Sequence, residues 1–198
     1  MEIILAVIIF VIVLYIVWKQ GQKDLIKYEN WKTEAQKIAL QTPNFNVSDE
    51  VAPHLSHNAD NWYIAIDENS KSLIFINKIF EKKIIHFNEI VDSEIIMDGS
   101  TYYKSSTSGT AERGLVGGLL LGGIGAIIGG TTGKKTAVEK VERIDIKLTL
   151  DSLSSPVLKL CFWNLETKKT STFFKDAIEV VEKWAGIFDV IIRRNTSK

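Results

Sequence analysis

Few side chains in this 198-residue chain are suited to chemistry: three histidines, His54, His57 and His86, and one cysteine, Cys161. His54, His57 and Asp60 recur at intervals of three, which on a helix would gather two imidazoles and a carboxylate on one face as metal ligands. They follow Pro53 in a stretch rich in Asn and Pro, where no helix is expected to present them, so no metal site is assigned. His86 falls in an alternating segment and is expected as a half-buried strand residue rather than a base. Cys161 lies between Leu160 and Phe162, the setting of an inert buried thiol. A lone cysteine allows no intramolecular disulfide, zinc ribbon or redox pair, and places the folded part in a reducing compartment. The run GGTTGKK at residues 129–135 imitates a phosphate loop, but Lys135 stands where Ser or Thr must follow the lysine. These residues predict a protein that is not an enzyme and carries no cofactor.

The pattern with a clear physical mechanism is apolar. Residues 114–130 read GLVGGLLLGGIGAIIGG, without a charge, and Gly114, Gly118, Gly122, Ala126 and Gly130 repeat every four residues. On a helix they form one smooth edge along which another helix approaches backbone to backbone. Each glycine costs a water-exposed helix about 1 kcal/mol relative to alanine, so lipid or a partner helix is the environment that suits the segment. The expected partners are a lipid membrane, further copies of the chain in a homo-oligomer, and an unknown protein partner. Arg113 on one side and Lys134 and Lys135 on the other are placed to hold the segment at anionic headgroups. By resemblance, the segment looks like the glycine zippers of pore-forming and oligomerising membrane proteins.

These residues need elements to carry them, and the first is a membrane anchor. Residues 3–18, IILAVIIFVIVLYIVW, carry no charge and as a helix cover roughly 24 Å of a hydrocarbon core about 30 Å thick. Tyr15, Trp18 and a snorkelling Lys19 are the interfacial residues that make up the difference. Glu2 and the lack of a small-residue cleavage site argue for an uncleaved anchor rather than a signal peptide. Lys19, Lys23, Lys27, Lys32 and Lys37 all follow the span. The positive-inside rule then predicts a single-pass protein of the bacterial inner (cytoplasmic) membrane, amino terminus outside and body in the cytoplasm.

Four segments are expected: an anchor at residues 1–20, a juxtamembrane helix at 21–41, an irregular linker at 42–61 and a folded domain at 62–198. In the second, Tyr28, Trp31, Ala35 and Ile38 make an apolar stripe expected to pack on the body of the same chain. Strand-like runs then follow at residues 62–67, 72–77, 83–88, 89–97, 100–107, 141–150 and 157–162. Asp98-Gly99 marks a tight turn, and residues 174–193 form an amphipathic helix with Trp184 and Phe188 on its apolar face. With 24 basic and 24 acidic residues the net charge is zero, so no nucleic-acid partner is expected.

Seven short strands and a closing helix, with the hairpin YIAID and LIFI and a Gly-rich insert before LTLD, resemble the small bacterial pleckstrin-homology-like domains. The resemblance implies a mainly β fold with helices: a transmembrane helix, then a seven-stranded open barrel capped by the C-terminal helix, with the insert between strands 5 and 6. Eukaryotic relatives bind phosphoinositides through basic residues between their first two strands. The corresponding loop is read here as the one holding only Lys71 beside Asp67 and Glu68, so that ligand is not implied. The expected function is a membrane-anchored scaffold or sensor that self-associates through its zipper. The alternative is a membrane-perturbing, pore-type effector in phage defence or superinfection exclusion.

Overall fold

A computed structural model describes residues 2–53, 62–105 and 140–196. His54, His57, Asp60, Arg113, Lys134, Lys135 and the zipper residues Gly114, Gly118, Gly122, Ala126 and Gly130 lie outside the described residues.

The chain begins with one uninterrupted helix, α1 (Glu2–Leu40), of 39 residues; at 1.5 Å per residue it is about 58 Å long. The apolar run and the charged run behind it therefore share a single rod, with no break at Gly21. After it come β1 (Asp49–Val51), β2 (Trp62–Asp67), β3 (Ser72–Asn77) and β4 (Lys82–His86). They form an antiparallel sheet in chain order. A 3-10 turn at Phe87–Glu89 leads to β5 (Ile90–Met97), β6 (Ser100–Ser105), β7 (Lys140–Leu150) and β8 (Val157–Lys168). These make a second sheet in the order β6-β5-β7-β8. A helix, α2 (Thr172–Thr196), closes the chain.

The fold is mainly β with helices, in two antiparallel sheets, as the sequence implies. The described residues contain one strand more than the seven expected, because β1 forms within residues 42–61, read as an irregular linker. Its arrival changes the loop numbering. The turn bearing Lys71 joins the second and third strands, and the first two are separated in sequence by residues 52–61, of which 54–61 lie outside the described residues. The 3-10 turn takes the end of the run expected as a third strand, and β8 extends to Lys168, six residues beyond the expected end.

Two cores explain the sheets. The main core lies between them and α2, with Ile64, Leu73, Phe75, Ile146, Leu160, Trp184 and Phe188 all buried. The Trp184 and Phe188 rings, one turn apart on α2 and both buried, meet at 5.9 Å between centroids, tilted by 51°. Ser171 caps α2, its Oγ accepting the Phe174 N–H at 3.2 Å. Asn195 fastens the other end, donating from Nδ2 to the carbonyls of Phe87 and Ile90. The second core lies on the outer face of the first sheet, where Tyr63, Ala65, Ile74 and Ile76 pack against Trp31, Ala35 and Ala39 of α1. Hence β2 and β3 are apolar at nearly every position: both their faces are covered.

Candidate membrane interface

The first half of α1 is bare and the second is docked. Every side chain from Ile3 to Trp18 is exposed although all but a few are aliphatic, an arrangement that water disfavours and hydrocarbon favours. Among the described residues it is the one helix long and apolar enough to cross a membrane. At the carboxyl-terminal end of the apolar run, the Tyr15 and Trp18 rings lie 6.2 Å apart and Lys19 Nζ sits 5.8 Å from the Tyr15 centroid. An aromatic pair with an ammonium group above it suits the amphipathic headgroup layer.

Ten residues further on, the helix is gripped by the body. Tyr28 Oη donates to the Ala52 carbonyl at 2.6 Å, and Trp31 Nε1 to the Asn77 carbonyl at 3.3 Å. Beyond them along the helix, Ala35 and Ala39 carry no side chain beyond Cβ, so the helix lies close on the sheet. A polar relay flanks this apolar seam: Glu50 accepts Gln36 Nε2 at 2.9 Å and the buried Tyr63 hydroxyl at 2.5 Å. Burial, then the bond and charge of Glu50, hold the Tyr63 hydroxyl well above its ordinary range, so it stays a donor. The expected stripe thus packs on its own chain, with Ala39 as an added member and Tyr28 and Ile38 half-buried.

Beyond the helix, the chain is fixed again at the far end of the sheet by Asp67. Its carboxylate accepts the N–H groups of Asn46, Asn69 and Ser70 and the Ser70 hydroxyl. Burial alone would raise this carboxyl; the hydrogen bonds outweigh it and hold it below the ordinary range.

In the second sheet Ser105, the last described residue of β6, pairs with Ser93, which pairs in turn with Leu148 on β7. The tight turn at Asp98-Gly99 has positive φ at both residues (49° and 79°), as a two-residue hairpin requires. Asp98 Oδ1 also accepts the N–H groups of Glu142 and Arg143, tying the start of β7 to this turn.

The remaining candidate chemistry is dispersed. Cys161 is buried, its thiol turned to the Trp163 carbonyl. His86 is exposed rather than half-buried, because its strand position faces a cleft of about 450 Å³ shared with Lys71, Arg194 and Asn195. Among the described residues no three His, Cys, Asp or Glu gather as a metal set.

A long helix, bare and apolar over its first half and docked over its second on one of two antiparallel sheets, with a closing helix between the sheets, defines a membrane-associated protein with a pleckstrin-homology-like body. The chain belongs to the family of glycine zipper containing PH domains, whose family model matches residues 53–164. It is similar to the SPbeta prophage-derived uncharacterized membrane protein YomJ of Bacillus subtilis (strain 168), at 32% identity over 86% of this chain and 81% of the relative. It is also similar to a protein named Immunity protein from Bacillus phage SPbeta, at 32% identity over 86% of this chain and 92% of the relative. No solved structure matches.

Proposed function

We propose that this chain is a membrane-anchored, non-enzymatic immunity protein that protects a cell carrying a phage or prophage against further phage infection. The observation carrying this reading is α1: one rod that is bare over residues 3–18 and docked on the PH-like body over residues 28–39. Such a rod holds the body at a fixed height and orientation above one membrane. The relative named for immunity supplies the direction of the function. In this reading the body faces the cytoplasm, and the zipper residues Gly114, Gly118, Gly122, Ala126 and Gly130 join copies of the chain at the membrane.

Expression in a Bacillus subtilis strain lacking the SPbeta prophage, followed by challenge with SPbeta and its relatives, tests the reading. Plating falls by orders of magnitude if it holds; undiminished plating with the protein present in the membrane fraction contradicts it. Replacing Gly118 and Gly122 with Leu blocks the smooth edge while keeping the segment apolar, and removes both crosslinked oligomers and protection. The Ala pair retains both. A cytoplasm-active reporter fused after Lys198 is active and a periplasm-active one silent. Dye release from liposomes by the parent but not the Leu pair favours the alternative, a pore-type effector, over a scaffold.

A further inference from the structure

We infer that the end of the body turned away from the bilayer is a docking surface for a protein that presents acidic side chains beside an apolar one. The inference rests on the reading of the chain as a membrane-anchored immunity protein and names the kind of partner that this reading leaves open.

The direction of α1 decides which end this is. Trp31 bonds the Asn77 carbonyl, and Asn77 pairs with Trp62 at the start of β2. From there α1 and β2 both lead away from the span, to Asp67, which accepts the Asn46 N–H beyond the end of the helix. The pair of Asp67 with Ser72 therefore stands roughly 17 Å along the strands from the gripped end, at 3.3 Å per residue.

At that level the 3-10 turn at Phe87–Glu89 joins three neighbours. The Phe87 N–H donates to the Lys71 carbonyl at 2.8 Å, and the Asp151 N–H donates to the Glu89 carbonyl at 2.7 Å. Asn195 Nδ2 donates to the Phe87 carbonyl at 2.6 Å. The β2–β3 turn, the β7–β8 turn and the end of α2 thus form one hydrogen-bonded surface.

One part of it is cationic. Lys71, His86 and Arg194 come from three elements to line the cleft of about 450 Å³, in which Glu68 is the one carboxylate. Among the described residues neither Lys71 nor Arg194 is in an ion pair. The nearby Glu89 carboxylate accepts the His86 N–H at 2.8 Å and so is drawn to the backbone. Lys71 holds a φ of 52°, a conformation that suits glycine, while Asp67 fixes the turn through the N–H groups of Asn69 and Ser70. A lysine held in strain without an ionic partner in its own fold marks a contact made outside it.

The other part is apolar. Leu153, at the tip of the β7–β8 turn, is fully exposed, and Val91 and Val157, also exposed, flank the end of β7. The tip is braced: the Ser155 N–H donates to Ser152 Oγ at 3.3 Å, and Lys83 Nζ donates to Ser155 Oγ at 3.0 Å. A preordered apolar tip loses little conformational freedom on docking. Two unpaired cations beside it complement carboxylates next to an apolar side chain, and the distance from the span directs this surface to a protein rather than to lipid.

The test uses the full chain in Bacillus subtilis lacking SPbeta and challenged with SPbeta. Plating reads protection, and photoreactive benzoylphenylalanine at Leu153 reads contact, with Phe173 at the other end of α2 as the reference position. The expected result is a protein adduct at 153 and none at 173. Lys71→Glu with Arg194→Glu reduces the adduct several-fold, and Glu68→Lys raises it. The double reversal and Leu153→Asp each lower protection by about tenfold with membrane recovery and melting temperature unchanged. Lys71→Gly relieves the left-handed strain, so it melts no lower than the parent yet protects less. Protection equal to the parent in these folded variants overturns the inference. So does an adduct indifferent to the sign of the charge, or one formed with lipid or with a second copy of the chain. If the parent itself gives no protection, the immunity reading fails, a result distinct from this one, which the adduct and its charge dependence then decide.

Discussion

Residues 3–18 and residues 28–39 belong to one helix with one continuous hydrogen-bonded backbone, yet their apolar side chains meet opposite fates. In the first region they cover the whole circumference and stay bare. In the second they are confined to Trp31, Ala35 and Ala39, with Tyr28 and Ile38 beside them, and are covered by the first sheet. A helix apolar all round must be buried on all sides, which a small β body cannot do and a bilayer can; a stripe needs only one face. The difference assigns one region to lipid and the other to protein. It also makes the span and the body parts of one rigid element.

The largest effect expected from breaking this division is on the bare half. Ile9→Lys combined with Val13→Lys adds two charges at the centre of the span, roughly 5 to 7 kcal/mol of insertion penalty together. Fractionation is expected to find the full chain outside the membrane fraction; unchanged membrane recovery contradicts the assignment. In the docked half, Trp31→Ala removes a buried aromatic side chain and the bond to Asn77. It is expected to cost about 3 to 5 kcal/mol, read as a lower melting temperature with membrane recovery intact.

Much of this division was legible beforehand. The uncharged run at 3–18, the stripe at Tyr28, Trp31 and Ala35, and the strands at 62–67 and 72–77 follow directly from residue spacing. The Asp98-Gly99 turn was legible because positive φ at two successive positions selects those residues. β1 was not, since three residues, Asp49, Glu50 and Val51, show no periodicity and pair only because β2 presents an open edge. A usable signal for the docking was present: WYIAID and SLIFIN are apolar on both faces, which requires a second cover for that sheet. His86 is the last residue of β4 and lines an open cleft with residues distant in sequence, Arg194 and Asn195, which no local pattern reveals.

Two smaller effects sharpen the comparison at the seam itself. Glu50→Ala strips the acceptor from the buried Tyr63 hydroxyl and from Gln36, and is expected to cost about 1 to 3 kcal/mol in denaturant melts. Glu50→Gln keeps an acceptor and is milder. At the far end, Asp67 has a carboxyl lower in the folded state than its unfolded range near 4. Its contribution is full above that range and is lost as pH falls through the depressed folded value. Acid titration of stability is expected to be shallower in Asp67→Asn, which is also less stable than the parent at neutral pH.

The central claim is that the membrane helix and the PH-like body move as one. Spin labels at Gln22→Cys and Glu68→Cys, in full-length protein carrying Cys161→Ser and held in a lipid bilayer, measure it by pulsed dipolar spectroscopy. A rigid rod docked through Trp31, Ala35 and Ala39 predicts a single narrow distance distribution that broadens in Trp31→Ala. A broad distribution in the parent, unchanged by that substitution, would contradict the account.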